Sequence, residues 1–169
     1  MFNHQLHNIS IANALIAWGL VYFLVRPSLN RAGRDTHLVV LISLHLFRYL
    51  GLIALIPSLF DVRALGFSDA YHAQIAYGDW LTGLLAIPAI LLINAKSRFA
   101  TSMTWLFNIV GIVDFTNAGL QLAPKITDPA IIGDLGWVVF TVYLPMLVVS
   151  HLAIFYLLLA KDSEIIHQS

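Results

Sequence analysis

The sequence predicts an all-α fold, an up-and-down bundle of five transmembrane helices that forms a polytopic integral membrane protein. Of its 169 residues, 59% are hydrophobic and only 11% are charged, about half the charged share of a usual soluble domain. Five apolar segments recur along the chain, each near the length that crosses about 30 Å of hydrocarbon. The connections between them are short and rich in Pro, Gly, Asp and Ser, which is typical of turns between antiparallel helices.

The five apolar segments define the predicted spans. They run roughly over residues 9–25, 38–57, 71–94, 104–122 and 137–160. Residues 1–169 form one domain, because no internal repeat, low-complexity tract or soluble-domain composition interrupts this pattern. A four-span arrangement would leave one apolar run in water, which is unfavourable. A short re-entrant piece over residues 131–136 is compatible with the pattern and stays open as an alternative.

The first two spans have the composition of membrane helices. No Lys or Arg precedes the first span, so it lacks the charged start of a cleaved secretory signal and is predicted to be a retained anchor. The second span carries His45 and Arg48, and an arginine at a helix centre costs about 2.5 to 3.5 kcal/mol. Its many Leu, Ile, Val and Phe residues contribute about −0.3 to −0.6 kcal/mol each, which offsets that penalty.

Each of the last three spans carries a feature that shapes the predicted bundle. Pro88 in the third span and Pro145 in the fifth predict kinks, because proline removes a helical hydrogen bond. In the fourth span, Asp114 and two asparagine amides nearly cancel the apolar gain of insertion. This span therefore depends on its neighbours, and we expect it to lie in the bundle interior.

The distribution of basic residues predicts the orientation. The first and third connections and the C-terminal tail hold six of them: Arg26, Arg31, Arg34, Lys96, Arg98 and Lys161. The N-terminal tail and the second and fourth connections hold only Arg63 and Lys125. Because positive residues favour the cytoplasmic side, the N-terminus is predicted outside and the C-terminus in the cytoplasm. The expected location is a bacterial inner (plasma) membrane.

Charge balance and composition exclude several function classes. Nine basic residues balance nine acidic ones, so no broad basic face for nucleic acid is present, and the lipid bilayer is the expected environment. The chain has no cysteine, which excludes disulfides, thiolate nucleophiles and iron–sulfur clusters. No catalytic motif such as HExxH, a P-loop or GxSxG occurs. Whether the protein is an enzyme stays open, and no metal site is predicted.

Ionisable residues inside the predicted spans are the candidates for a functional site. At about 1.5 Å per residue, Arg48 and Asp114 both lie about 16 Å from the cytoplasmic edge, so we predict that they form an ion pair. His45 and Arg48 are three residues apart and share a helix face. Charged groups at such depth face the bundle interior and mark functional sites by default. The alternative for the Arg48–Asp114 pair is a structural salt bridge that fixes helix register.

The leading functional hypothesis is an intramembrane polar cavity for a small lipophilic molecule with a polar head. The predicted ligand-binding residues are His45, Arg48, Asp79, Trp80, Asn108, Asn117 and Tyr143. Arg48 would hold an anionic or carbonyl group. Asp114 and His151 would act as acid and base if binding leads to catalysis, because an imidazole and a carboxylate suffice for proton transfer.

Two alternatives use the same residues differently. The first is a proton- or ion-coupled transporter in which Asp79 and Asp114 carry the charge; a bundle this small would work as a homo-oligomer. The second is an accessory subunit of a larger membrane complex, or a b-type cytochrome in which His45 and His151 ligate haem b.

Overall fold

The structure, a computed structural model, describes residues 12, 15, 16, 19, 33–56, 66–125 and 136–166. The part of the chain so described is helical and contains no strand. Apart from four helical positions, the predicted first span at 9–25 lies outside the described residues. The same holds for most of the re-entrant piece considered at 131–136 and for the connection at 57–65.

Helices occupy the places of the second to fifth predicted spans. Helix α1 is Arg34–Ser43, and it continues as a 3₁₀ segment over Leu44–Leu55. Helix α2 is Asp69–Asn94, helix α3 is Ala100–Leu122 with a 3₁₀ turn at Ala123–Lys125, and a π-helical turn at Val139–Tyr143 leads into helix α4, Leu144–Ile166. By length and composition, two described stretches, Asp69–Asn94 and Gly136–Ala160, are able to cross a membrane.

A tight turn makes α2 and α3 antiparallel. After α2 ends, Lys96 adopts a left-handed conformation with φ 50°. The Ser97 amide then donates to the Leu92 carbonyl and the Lys96 amide donates to the Ile93 carbonyl, both at 3.0 Å, which is the Schellman pattern of helix termination. The Ser97 hydroxyl in turn accepts a bond from the Phe99 amide at 3.2 Å, just before α3 begins. The two helices therefore pack along their lengths.

One end of the bundle has an apolar core. Its buried members come from all four helices: Leu38, Leu41, Ile42, Ala86, Ala89, Ile93, Phe107, Ile154 and Leu158. In α1, Leu38, Leu41 and Ile42 are spaced by three and four residues, the spacing that gives an α-helix one continuous buried face. The Arg34 Nε donates to the Leu157 carbonyl at 2.9 Å, which attaches the start of α1 to α4.

In the 3₁₀ segment, where the bundle interior becomes polar, side chains on one face recur every three residues, unlike the three-and-four spacing of α1. A 3₁₀ helix has about 3.0 residues per turn, so side chains three apart are eclipsed. His45, Arg48 and Gly51 therefore form a straight column on one face. In an α-helix the same residues would drift by about 60° per step. His45 and Arg48 are fully buried on this face, and the segment packs against α2 and α4.

The placement of the fourth span in the bundle interior stays a prediction, because most of the predicted first span lies outside the described residues. Helix α3 packs against α2 and α4, yet it also has an outward face on which Leu106, Ile109, Val113 and Leu120 are about half exposed or more. Asp114 and Asn108 satisfy their polar groups on the opposite side of the helix. One polar face toward the neighbours is therefore enough to accommodate these residues.

Candidate functional site

Arg48 lies at the centre of a buried polar cluster. Its side chain is 1% exposed and comes from the 3₁₀ segment. The Nε and Nη2 groups donate to Asp79 Oδ1 of α2 at 2.7 and 2.6 Å, and Nη2 also donates to Asp114 Oδ2 of α3 at 2.6 Å. The predicted Arg48–Asp114 ion pair is confirmed. The pairing with Asp79 makes it an ionic triad, with one positive and two negative groups.

Two glycines make room for the two carboxylates. We call each glycine the seat of the carboxylate that it contacts. A Cβ added at Gly51 would collide with the Asp79 carboxyl group, and one added at Gly78 would collide with the carboxyl group of Asp114. Each carboxylate thus has one oxygen on Arg48 and the other against a glycine of the preceding helix. Only glycine lets the backbones approach closely enough for these short side chains to reach the guanidinium.

His151 of α4 is the third acceptor of Arg48, and its orientation is fixed. The Arg48 Nη1 group donates to His151 Nε2 at 3.3 Å. Because a guanidinium only donates, Nε2 carries no proton, and the proton of the neutral ring is on Nδ1. That Nδ1–H donates to Asn108 Oδ1 at 2.7 Å, while Asn108 Nδ2 donates to the His151 carbonyl at 3.2 Å. A Cβ at Gly111 would meet the same ring.

His45 has the opposite tautomer. The Ser150 hydroxyl donates to the Leu147 carbonyl at 2.8 Å, so its oxygen is left to accept. His45 Nε2 lies 2.7 Å from this oxygen and therefore donates to it, which leaves Nδ1 with a lone pair. This Nδ1 is buried and has no hydrogen-bond partner among the described residues. The His45 and His151 rings are in contact, with centroids 4.1 Å apart.

Three predicted site residues lie away from the triad's hydrogen bonds. Trp80 is 39% exposed, so it faces outward beside Asp79. Asn117 Oδ1 accepts a bond from Gln121 Nε2 at 2.6 Å on the exposed side of α3. The Tyr143 hydroxyl donates to the Leu44 carbonyl at 3.4 Å, at the junction between α1 and the 3₁₀ segment. The described contacts bring together the other six: His45, Arg48, Asp79, Asn108, Asp114 and His151.

The geometry contradicts ligation of haem b by His45 and His151. Two axial imidazoles lie on opposite sides of a porphyrin, with the iron between them. Here the two rings touch, with no space for a macrocycle. Their Nε2 atoms are also already bonded to Ser150 and Arg48. Within the described residues there is also no group of three or more His, Asp or Glu side chains arranged to hold a metal ion.

Sequence reasoning missed Ser150 and the seat at Gly51, and it assigned Gly78 to close helix packing without linking it to Asp114. Ser150 directly precedes His151 and is 2% exposed, but a single serine in an apolar helix carries no distinguishing pattern. Gly51 lies three residues after Arg48, and Gly78 directly precedes Asp79. A small residue beside each intramembrane charge was a usable signal, since glycine permits close helix approach.

The described part of the chain is helical and holds a buried arginine against two carboxylates and one histidine. Residues 6–159 match the family described as a domain of unknown function, DUF8737, and the chain belongs to this family. Comparisons with curated proteins and with solved structures return no match.

Proposed function

We propose that this chain is a five-span membrane protein that transports protons across the membrane by binding and releasing one proton at the Arg48–Asp79–Asp114 triad. The proposed orientation has the N-terminus outside and the C-terminus in the cytoplasm, in a bacterial plasma membrane. The observation that carries the proposal is the charge of the triad: two carboxylates share one guanidinium in a buried site.

The outer surfaces of the helices support a lipid environment. Large apolar side chains on α2, α3 and α4 are exposed, and they include Leu81, Ile87, Leu91, Leu106, Val113, Leu120, Leu152 and Leu159. Water-soluble proteins rarely expose contiguous apolar faces of this extent. Two of the described helices also have the length and composition of membrane spans. Lipid chains would cover these faces at no cost.

Charge balance makes the triad a proton-binding site. With both carboxylates ionised, the triad has a net charge of −1, and a net charge in a low-dielectric interior is costly. One proton on either carboxyl group makes the triad neutral. The Asp79 and Asp114 side chains keep 20% and 12% of their surface exposed. Two carboxylates that share a site titrate as a pair.

Close packing favours a proton over a lipophilic ligand as the occupant of the triad. The Asp79, Asp114 and His151 side chains all lie directly against glycines of a neighbouring helix. A headgroup of several atoms would have to separate these contacts, whereas a proton needs no space. Charged and protonatable residues placed in this way occur in pumps and transporters as proton relays.

Binding of a small lipophilic molecule with a polar head is the second candidate. The exposed edges of Asp79 and Asp114 favour it, because a cationic or hydroxyl head could bind there from the membrane. In this version Asp114 and His151 would supply acid/base chemistry. Mass spectrometry of molecules that co-purify with the protein separates the candidates: a stoichiometric lipid supports this one, and its absence favours proton coupling.

Proton flux into liposomes tests the proposed function. The purified protein is reconstituted with a pH-sensitive dye inside, and a potassium diffusion potential drives proton entry. We expect a pH change above that of empty liposomes, lost in Asp79→Asn and in Asp114→Asn. Asp35→Asn, which alters an exposed carboxylate in the first turn of α1, is the matched control and should keep the wild-type rate. A wild-type rate equal to that of empty liposomes refutes the proposal.

A further inference from the structure

The His45 imidazole is a buried titratable group that the triad does not bind directly. It lies three residues before Arg48 in the 3₁₀ segment, about 6 Å nearer to α1 at about 2.0 Å per residue. Its side chain has no exposed surface, and its Nδ1 lone pair has no donor within the described part of the chain. A buried polar atom without a partner is rare in folded proteins and calls for an explanation.

We propose that His45 Nδ1 is the inner proton acceptor of this protein, which receives the proton that the Asp79–Asp114 pair releases. The inference rests on the proposed proton-coupled function and identifies where the proton goes next. In the proposed orientation His45 is on the cytoplasmic side of Arg48, whereas Gly51, the seat of Asp79, is on the outer side. His45, Arg48 and Gly51 therefore lie at successive depths along the 3₁₀ column, and the Asp79 carboxyl group lies against Gly51.

The transfer conserves charge and atoms. A carboxyl O–H bond breaks, an N–H bond forms at His45 Nδ1, and the carboxylate and the imidazolium are the products. Arg48 remains a cation throughout. Before the step, one carboxylate balances Arg48; after it, two carboxylates balance Arg48 and the imidazolium. The buried cluster is neutral in both states, so the proton moves inward without the cost of a net buried charge.

The surroundings fix His45 in the tautomer that this step needs. Because the Ser150 hydroxyl donates to Leu147 and accepts from His45 Nε2, the lone pair is held on Nδ1. The Phe107 ring packs edge-on against the imidazole, with centroids 5.1 Å apart. The charged and titratable groups that surround His45, directly or through Arg48, are Arg48, Asp79, Asp114, Tyr143 and His151.

His45→Gln in the liposome flux assay tests the assignment. A glutamine amide is able to donate to Ser150 as Nε2 does, but it cannot take up the proton. We expect proton flux to fall at least tenfold. His72→Gln is the matched control, since His72 is a buried histidine at the start of α2 whose Nδ1 contacts the Ser68 carbonyl at 3.2 Å, and it should keep the wild-type flux.

Nitrogen-15 NMR of histidine-labelled wild-type protein is the second readout, and it needs no variant of His45 to fold. We expect His45 to carry its proton on Nε2 at high pH and to gain a second one on Nδ1 as the pH falls. Wild-type flux in His45→Gln, or a His45 Nδ1 that stays unprotonated or stays protonated across the whole pH range, overturns the assignment while the proposed function stands. If the wild-type protein shows no flux, the proposed function fails, and the nitrogen spectra alone decide whether Nδ1 accepts a proton.

Discussion

The apolar core and the polar cluster lie on the same helices, yet they are built by different rules. In α1, the apolar core uses Leu38, Leu41 and Ile42 at α-helical spacing, with side chains that fill space and make no directional bonds. In the 3₁₀ segment that follows, His45 and Arg48 at a spacing of three make directional bonds to three neighbouring helices. The change of helix type and the change of chemistry coincide at Leu44.

This difference shows which region tolerates change. An apolar core of the right volume accepts substitutions at modest cost. In the polar cluster, Arg48 serves Asp79, Asp114 and His151 at once, so the loss of one member leaves buried groups without partners. We therefore expect the cluster to be far more sensitive than the core, in function and in stability.

Arg48→Met should have the largest effect on stability. Removal of the guanidinium leaves two carboxylates close together and His151 Nε2 without a donor, and breaking a buried ion pair costs about 3–5 kcal/mol. The free energy of unfolding in detergent measures the loss. Arg48→Lys keeps the charge but not the planar fork that reaches three acceptors, so it should be destabilised less than Arg48→Met. An Arg48→Met protein as stable as wild type would refute the central role of Arg48.

Gly78→Ala should be destabilising where Gly83→Ala is not. A methyl group at Gly78 collides with the Asp114 carboxyl group, whereas at Gly83 the nearest atom, the His45 carbonyl oxygen, is 3.5 Å away, an ordinary contact. Overpacking costs about 1–3 kcal/mol, while alanine in a helix gains about 1 kcal/mol over glycine. Both changes are in α2, so thermal unfolding of the two variants side by side isolates the seat of Asp114. Equal melting temperatures would show that the carboxylate moves freely.

Ile42→Val should have the smallest effect. It removes one methyl group from the apolar core, at a cost of about 0.5–1.5 kcal/mol, and Ile42 takes part in none of the hydrogen bonds of the polar cluster. Unfolding should show this small loss, and proton flux in liposomes should equal that of wild type. A large loss of flux in Ile42→Val would mean that the core and the cluster are coupled, and the contrast between the two regions would not hold.

The sequence predicts the helices and much of the cluster because both follow from local rules. Apolar runs of membrane length locate the four described helices, and the similar depth of Arg48 and Asp114 identifies their ion pair. The cost of charge in an apolar setting marks His45, Asp79, Asn108 and His151 as candidates. These inferences depend on residue type and position along a helix axis, which a sequence displays directly.

The sequence does not show how each helix is rotated about its axis. The pairing of Asp79 with Arg48 depends on the 3₁₀ geometry of Leu44–Leu55, and runs of this length are too uncommon to predict. The outward placement of Trp80 and Asn117 likewise depends on which face of each helix meets its neighbour. The contact between the His45 and His151 rings, which excludes haem b, depends on side-chain positions that depth alone does not give.

Infrared spectroscopy tests most directly whether Asp79 and Asp114 share one proton. At neutral pH exposed carboxylates are ionised, so the C=O stretching band of a protonated carboxyl group reports a buried one. We expect this band in His45→Gln, which has no imidazole at position 45 to take the proton, and we expect it to shift in D₂O. The band should be lost when Asp79→Asn and Asp114→Asn are both added. Its absence from both the wild-type protein and His45→Gln at neutral pH would show that both carboxylates are ionised, and it would contradict the proposed proton site.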